Sequence, residues 1–287
     1  MPRIVILAGG MSSRMKQLDM NVILDKKIID DSNEKSKTMI RIGSDDKPFL
    51  DYLLFNIKNA GYNDVVIVVN EKDNSIINYY SDKKNISGFE NLSFDFAVQP
   101  IPPGREKPLG TADALYRALI KRTDWNGKKF TMCNSDNLYS VYALKLLLNS
   151  SYPNSMIDYE SDGLGFGRDR IGKFSITKKD CENYLTDIIE KPSEEIIDSL
   201  KEKDGYVGVS MNIFRFSYDM ILPILEITPV NPLRNEKEIT TSVKLLIEKI
   251  PQSVFAFRHK EYVPDLSSKK DIPIVKEFLE NKFRHKP

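Results

Sequence analysis

Cysteine is nearly absent. Cys133 and Cys181 are the only two in 287 residues, and they form neither a Cys-x-x-Cys pair nor a disulfide framework, so a reducing cytoplasm is the expected setting. Histidine is equally scarce. His259 and His285 both fall near the end, with no further Cys or His at zinc spacing, which excludes a zinc site and predicts two surface residues. Ser12 and Ser13 therefore lack a partner base, and a serine nucleophile is discarded. Long apolar runs are missing too: residues 65–69 have strand length, far below the roughly 20 residues of a membrane span. The first ten residues break into glycine where the apolar core of a signal peptide would continue. Net charge is almost nil, 42 Lys+Arg against 41 Asp+Glu, or +1, so no global field recruits nucleic acid or an anionic membrane. Any anionic ligand must meet locally concentrated positive charge.

What is present is enough apolar residue, 41% of the chain, to bury a substantial core without cross-links. Residues 4–7 are a short apolar run ending in Ala8-Gly9-Gly10, as expected of a buried parallel strand feeding a tight loop. Residues 49–60 carry Leu50, Leu53, Leu54 and Ile57 on one helical face and stop at Gly61, and the run at 64–69 reads as the next strand. Strands at 92–98 and 129–133 alternate with helices at 111–120 and 141–148, which predicts a mainly parallel sheet covered on both faces. Beyond residue 150 the pattern changes to strands at 155–159, 172–177, 184–189 and 206–216. Helices then follow at 218–227, 238–250 and 269–282, with a strand at 253–257. Residues 17–35, rich in Asp, Lys and Asn, read as a long loop: a lid, a binding loop or a disordered stretch.

The chemistry-bearing motif closest to the start is Leu7-Ala8-Gly9-Gly10-Met11-Ser12-Ser13-Arg14. Glycines admit a ligand to the backbone, successive N–H groups can form an anion nest, and Arg14 adds a fork suited to phosphate oxygens. The spacing is neither Gly-x-Gly-x-x-Gly nor the P-loop pattern, which removes dinucleotide oxidoreductases and P-loop ATPases. In Gly110-Thr111-Ala112-Asp113, Thr111 reads as a helix N-cap whose first-turn N–H groups could face an anion or a base edge. Asp136 follows a strand end, where ligands sit in open α/β sheets, and a hard carboxylate oxygen there suits Mg²⁺.

These motifs, in this order, resemble the nucleotidyltransferases that activate sugar phosphates and related alcohols. Leu7-Ala8-Gly9-Gly10 with Arg14 is similar to the family's signature loop, and Lys37, ahead of Lys47-Pro48-Phe49, to its phosphate-binding lysine. Gln99-Pro100 and the later Gly110-Thr111-Ala112 are similar to its base-reading segments. Asn134-Ser135-Asp136-Asn137 is similar to its metal-binding strand end, and Glu190-Lys191-Pro192 with Asn212 to its sugar side. Tyr262-Val263-Pro264-Asp265 stands where many members carry a second metal-binding aspartate, though without the flanking Trp and Gly-Thr.

The resemblance implies an α/β fold of Rossmann-like type, a mixed, mostly parallel sheet with helices on both faces and a small β extension on the sugar side. One domain would span 1–287, with 1–150 as nucleotide half and 151–287 as sugar half. The implied reaction moves NMP from an NTP to a sugar 1-phosphate, releasing pyrophosphate, with Mg²⁺ as cofactor. Arg14, Lys37 and Asp136 would be catalytic, and Leu7, Ala8, Gly9, Gly10, Gln99, Gly110 and Thr111 would bind the nucleotide. Glu190, Lys191 and Asn212 would hold the sugar phosphate, and Asp136 and Asp265 the metal. The Gln99 amide offers a donor and acceptor pair that fits uracil or thymine, favouring UTP or dTTP, with cytosine and the purines left open. Two other readings stay open: a same-fold enzyme with a non-sugar acceptor such as a molybdopterin, and a non-catalytic nucleotide-sugar sensor.

Overall fold

The apolar run Arg3–Leu7 (β1) is buried on both sides, which decides the architecture around it. Ile4 and Ile6 enter one apolar cluster, Val5 and Leu7 the other, because successive strand residues point to opposite faces. A computed structural model describes residues 1–17, 22, 24–43 and 46–283; His285 lies outside them, as do 18–21 and 23 of the predicted loop. After β1 come Ser13–Lys16 (α1), Lys26–Glu34 (α2), Phe49–Ala60 (α3), Asp64–Asn70 (β2), Ser75–Ser81 (α4) and Ser93–Gln99 (β3). Next are Thr111–Lys121 (α5), Lys129–Asn134 (β4), Val141–Leu148 (α6), Asn154–Glu160 (β5), Arg168–Ile171 (α7), Ser175–Lys179 (β6) and Leu185–Glu190 (β7). Glu194–Asp204 (α8), Gly208–Ser217 (β8), Tyr218–Ile227 (α9), Ile239–Lys249 (α10), Val254–His259 (β9) and Asp271–Lys282 (α11) complete the order.

The strands form one mixed sheet in the order β3-β2-β1-β4-β8-β5-β9, with β6 and β7 added beside β8. β1, β2, β3 and β4 pair in parallel, and only β8 runs against its neighbours on that path. Helices α3, α6 and α11 cover one face, and α5, α9 and α10 the other. The antiparallel β6–β7 pair is the small extension expected after residue 150. Three helices have the predicted bounds: Phe49–Ala60, ended by Gly61 at φ 102°, Val141–Leu148, and Tyr218–Ile227.

Four local expectations are corrected. Residues 17–35 are not one long loop, because α2 forms within them: Ile28, Asp31 and Ser32 are buried, and Arg41 grips Asp31 through a bidentate pair at 2.7 Å. Burial would raise the Asp31 carboxyl, but Arg41 and Lys35 outweigh it and hold it at about 2. The strand predicted at 172–177 starts later, at Ser175, because α7 and a turn at Gly172 precede it. The charged helix α8 was not predicted, since Ile196, Ile197 and Leu200 are the only apolar residues in it. His259 is half-buried between the rings of Tyr142 and Tyr159, with its Nε2 3.1 Å from Glu261 Oε2, instead of standing free at the surface.

Candidate functional site

The carboxyl ends of β1, β3 and β4 border one depression, as strand ends border ligand sites in open α/β sheets. One part of it is a cavity of about 350 Å³ lined by Leu7 to Arg14, Lys37, Gln99, Gly110, Thr111 and Asp136, among others. The Ala8 N–H is spent on Val68 O, but Gly9, Gly10 and Met11 donate no backbone hydrogen bond among the described residues. Asn70, buried at the end of β2, donates its amide to Gly9 O at 3.1 Å and so fixes the loop. Three successive N–H groups without a partner among the described residues are the donors an anion nest requires. Ser12 accepts the Lys37 N–H at 3.0 Å, tying the loop to the short turn Lys37–Met39, which is a serine's structural role here.

Gln99 is 2% exposed, and its Nε2 donates to Gly110 O at 2.8 Å and Asp113 Oδ2 at 2.9 Å. Its Oε1 lies against Gly9, where a Cβ would approach it to 2.7 Å. The amide donor is therefore consumed inside the protein, and Oε1 accepts no hydrogen bond among the described residues. That corrects the expected donor and acceptor pair. Gly110 differs from expectation as well. It is the N-cap of α5 at φ 104°, and a Cβ there would meet Lys237 O at 2.7 Å, so its bareness also makes room for the 236–237 chain. Thr111 is the first helical residue, not the cap; its Oγ1 accepts the Ile239 N–H at 2.9 Å, and Lys237 O takes the Ala112 N–H. The α5 N-terminus is thus largely occupied by the segment entering α10.

A second cavity, about 600 Å³, opens beside the first and is lined by Lys173, Glu190, Lys191, Asn212, Arg234 and Asp265, among others. The two share Arg14, Thr111, Asn134, Asp136, Glu236 and Ser267. Asn212 sits in a β-bulge of β8, between the Met156 and Asp158 pairings, at φ 54°. Its Oδ1 is buried without a protein hydrogen bond, so a left-handed residue and an orphaned acceptor coincide at the cavity wall. Glu190 accepts Arg234 Nη1 at 2.8 Å and, on its other oxygen, the hydroxyls of Ser175 and Thr240. Arg234 also pairs with Glu238. Lys107 reaches from the loop before α5 to Arg234 O and to Glu236 Oε1 at 2.5 Å, latching the two sides together.

Lys37 pairs with Asp136 Oδ2, and Asp136 Oδ1 has no hydrogen-bond partner among the described residues. Asp265 is paired in the backbone with Asn137, and the Leu266 N–H donates to Asp136 O at 2.8 Å, so the two aspartates are neighbours. Burial and the Asp136 charge push the Asp265 carboxyl up, against the pull of Arg170. Among the described residues no group of three or more His, Cys, Asp or Glu forms an all-protein cage. One or two carboxylates facing a cavity is the donor set Mg²⁺ ordinarily takes, with waters and substrate phosphates completing it. The predicted residues are thus brought together in two joined cavities. Asn70, Lys107, Arg170, Arg234, Glu236 and Thr240 were not predicted; alternating charge at 234–238 was the one available signal for part of that set.

Comparison with known proteins agrees with this geometry. A family model described as nucleotidyl transferase matches residues 3–281. The chain is 23% identical over 217 residues to glucose-1-phosphate adenylyltransferase 1 of Vibrio vulnificus, a match covering 76% of this chain and 49% of that protein. It is 25% identical over 142 residues to D-glycero-alpha-D-manno-heptose 1-phosphate guanylyltransferase of Aneurinibacillus thermoaerophilus, covering 50% of this chain and 49% of the relative. The chain spans about half the length of these curated relatives. A UDP-glucose pyrophosphorylase solved with UDP-glucose superposes with a TM-score of 0.71 at 16% identity, covering 98% of this chain and 99% of the other. Another, from Acinetobacter baumanii, gives 0.68 at 18% identity, over 97% and 93%. The Rossmann-like, mostly parallel fold is thereby shared with these structures, and a match running through both halves of the sheet makes the chain a member of the nucleotidyl transferase family.

Proposed function

We propose that the protein transfers an NMP group from an NTP to a sugar 1-phosphate, forming a nucleotide-sugar and pyrophosphate. The observation that carries this reading is the sharing of Arg14 and Asp136 by two abutting cavities, one walled by a nest of backbone N–H groups, the other by Glu190, Lys191 and Asn212. An acceptor phosphate oxygen would attack the α-phosphorus, and the bond to the bridging oxygen of pyrophosphate would break. The attacking oxygen is already anionic, so no general base is required, and positioning with charge stabilisation lowers the barrier. Gly9, Gly10 and Met11 would hold triphosphate oxygens, and Arg14 and Lys37 would neutralise them. Lys191 would hold the acceptor phosphate, with Arg234 as a further guanidinium on that wall. Glu190 and the orphaned Asn212 Oδ1 would accept sugar hydroxyls.

The proposed cofactor is Mg²⁺, which when bound lends charge neutralisation at the α-phosphate; Asp136 would hold it through the oxygen Lys37 leaves free. The Gln99 Oε1 suits a ring N–H, as uracil and thymine carry, so UTP and dTTP are the donors proposed; guanine offers an N–H too, which makes GTP the informative third arm. The test is pyrophosphate release across a matrix of NTPs and sugar 1-phosphates with Mg²⁺. Release requiring both substrates supports the reading. Tight nucleotide binding without release, unchanged by EDTA, would replace it with a sensor.

A further inference from the structure

Arg170 lies in α7, a four-residue helix on the acceptor half, and its guanidinium is committed in three directions. Nη2 donates to Asp265 Oδ2 at 2.6 Å and to Asp265 O at 3.2 Å; Nη1 donates to Asp271 Oδ1 at 2.6 Å. Its Cζ stands 4.4 Å from the centre of the Phe166 ring. Asp271 is itself fixed, accepting the N–H groups of Ser267 and Ser268 on its other oxygen. The fork therefore has little freedom. The two oxygens of Asp265 are held unequally as a result. Oδ2 takes the short charge-assisted bond, whereas Oδ1 takes only the neutral Asn137 Nδ2 and Ser267 Oγ, each at 3.1 Å. A charge-assisted bond is roughly twice as strong as a neutral one, and Ser267 has one hydrogen to share between both oxygens. A cation arriving in the cavity would meet least resistance at Oδ1.

We propose that Arg170 is a positioning residue that apportions the Asp265 carboxylate, locking Oδ2 into the protein and leaving Oδ1 as the oxygen offered to a divalent cation beside Asp136. Arg170 thereby decides whether Asp265 can serve as the second carboxylate at all. The inference rests on the metal role proposed above, and the experiment separates the two. Mn²⁺ binding to the substrate-free, full-length protein is titrated by electron paramagnetic resonance, and nucleotide binding is measured in parallel in EDTA. Wild type is expected to bind Mn²⁺, and Asp136→Asn to lose it. Arg170→Met is expected to weaken Mn²⁺ binding about tenfold or more, the usual cost of removing a group that orients a metal ligand, with nucleotide binding in EDTA unchanged. Arg170→Lys, which keeps the charge but cannot reach both aspartates as a fork, should recover part of the loss. Asp271→Asn, which removes the fork's other anchor, should lose severalfold. Wild-type Mn²⁺ affinity in Arg170→Met overturns the proposal while leaving the metal reading intact. Should Arg170→Met also lose nucleotide binding, the milder pair decides, and wild-type affinity in both of them overturns it. Absence of Mn²⁺ binding in wild type, or its persistence in Asp136→Asn, overturns the metal reading and this inference together.

Discussion

The cavity proposed for the nucleotide is walled largely by Leu7 to Ser13 at the end of β1 and by Gly110 and Thr111 at the start of α5. The acceptor-side cavity is walled by long charged side chains, Lys173, Glu190, Lys191, Arg234 and Glu238. On the first side the groups proposed to hold phosphate include backbone N–H donors, which a change of side chain leaves in place, beside Arg14 and Lys37. On the second, Arg234 pairs with both Glu190 and Glu238, so its loss leaves two carboxylates without that counter-charge. Recognition by backbone is local and robust, whereas recognition by an ion-pair network is cooperative and fragile.

Substitutions can break or sharpen that contrast. Asp136 belongs to both cavities, so Asp136→Asn should do the most damage. Pyrophosphate release is expected to fall roughly 10²- to 10³-fold, about 3–4 kcal/mol by analogy with removing one transition-state donor; full activity would remove Asp136 from the mechanism. Arg234→Ala is expected to raise KM for the acceptor by about 1.5–3 kcal/mol, the value of a hydrogen bond to a charged group, and to leave KM for the NTP nearly unchanged. An equal rise in both would mean that the network also serves the nucleotide side.

Beneath the nucleotide side, the Asp31–Arg41 pair braces the chain that delivers Lys37. The Asp31 carboxyl is held at about 2, below its ordinary 3.8, so its contribution is present above pH 4 and fades as pH falls through 2. Asp31→Asn should cost on the order of 2 kcal/mol at pH 7, at 1.36 kcal/mol per pKa unit, and that deficit should close toward pH 2 in urea melts. A pH-independent deficit would assign the loss to packing. The smallest effect is expected from Asn212→Gly, which retains the left-handed backbone and deletes the orphaned acceptor. Acceptor KM should rise by about 1 kcal/mol, a neutral hydrogen bond, with NTP kinetics and stability unaltered.

How much was legible in advance follows the same division. The helices Phe49–Ala60, Val141–Leu148 and Tyr218–Ile227 announced themselves through apolar periodicity and clear stops, and the loop after β1 through its glycines. Helices α2 and α8 did not, because their sequences are mostly charged and few apolar side chains reach a core. Gln99 was found by its motif, but the direction of its amide was not, since Asp113 and Gly110 O decide it across a turn. Arg234 and Arg170 carried no periodic or motif signal strong enough to connect them with Glu190 and Asp265, which are 44 and 95 residues away.

Residue order alone was sufficient for the alternation of strands and helices, the glycine loop after β1 and the succession of motifs along the chain. Each of these depends on backbone preferences and burial patterns that act within a few residues. Which charge answers which was settled only on folding. Lys37 and Asp136 are 99 residues apart, and Asp265 is shared among Asn137, Ser267 and Arg170. Coulomb attraction and hydrogen bonding act over a few ångströms of space and are indifferent to separation along the chain, so the sheet had to bring those partners together before they could be known.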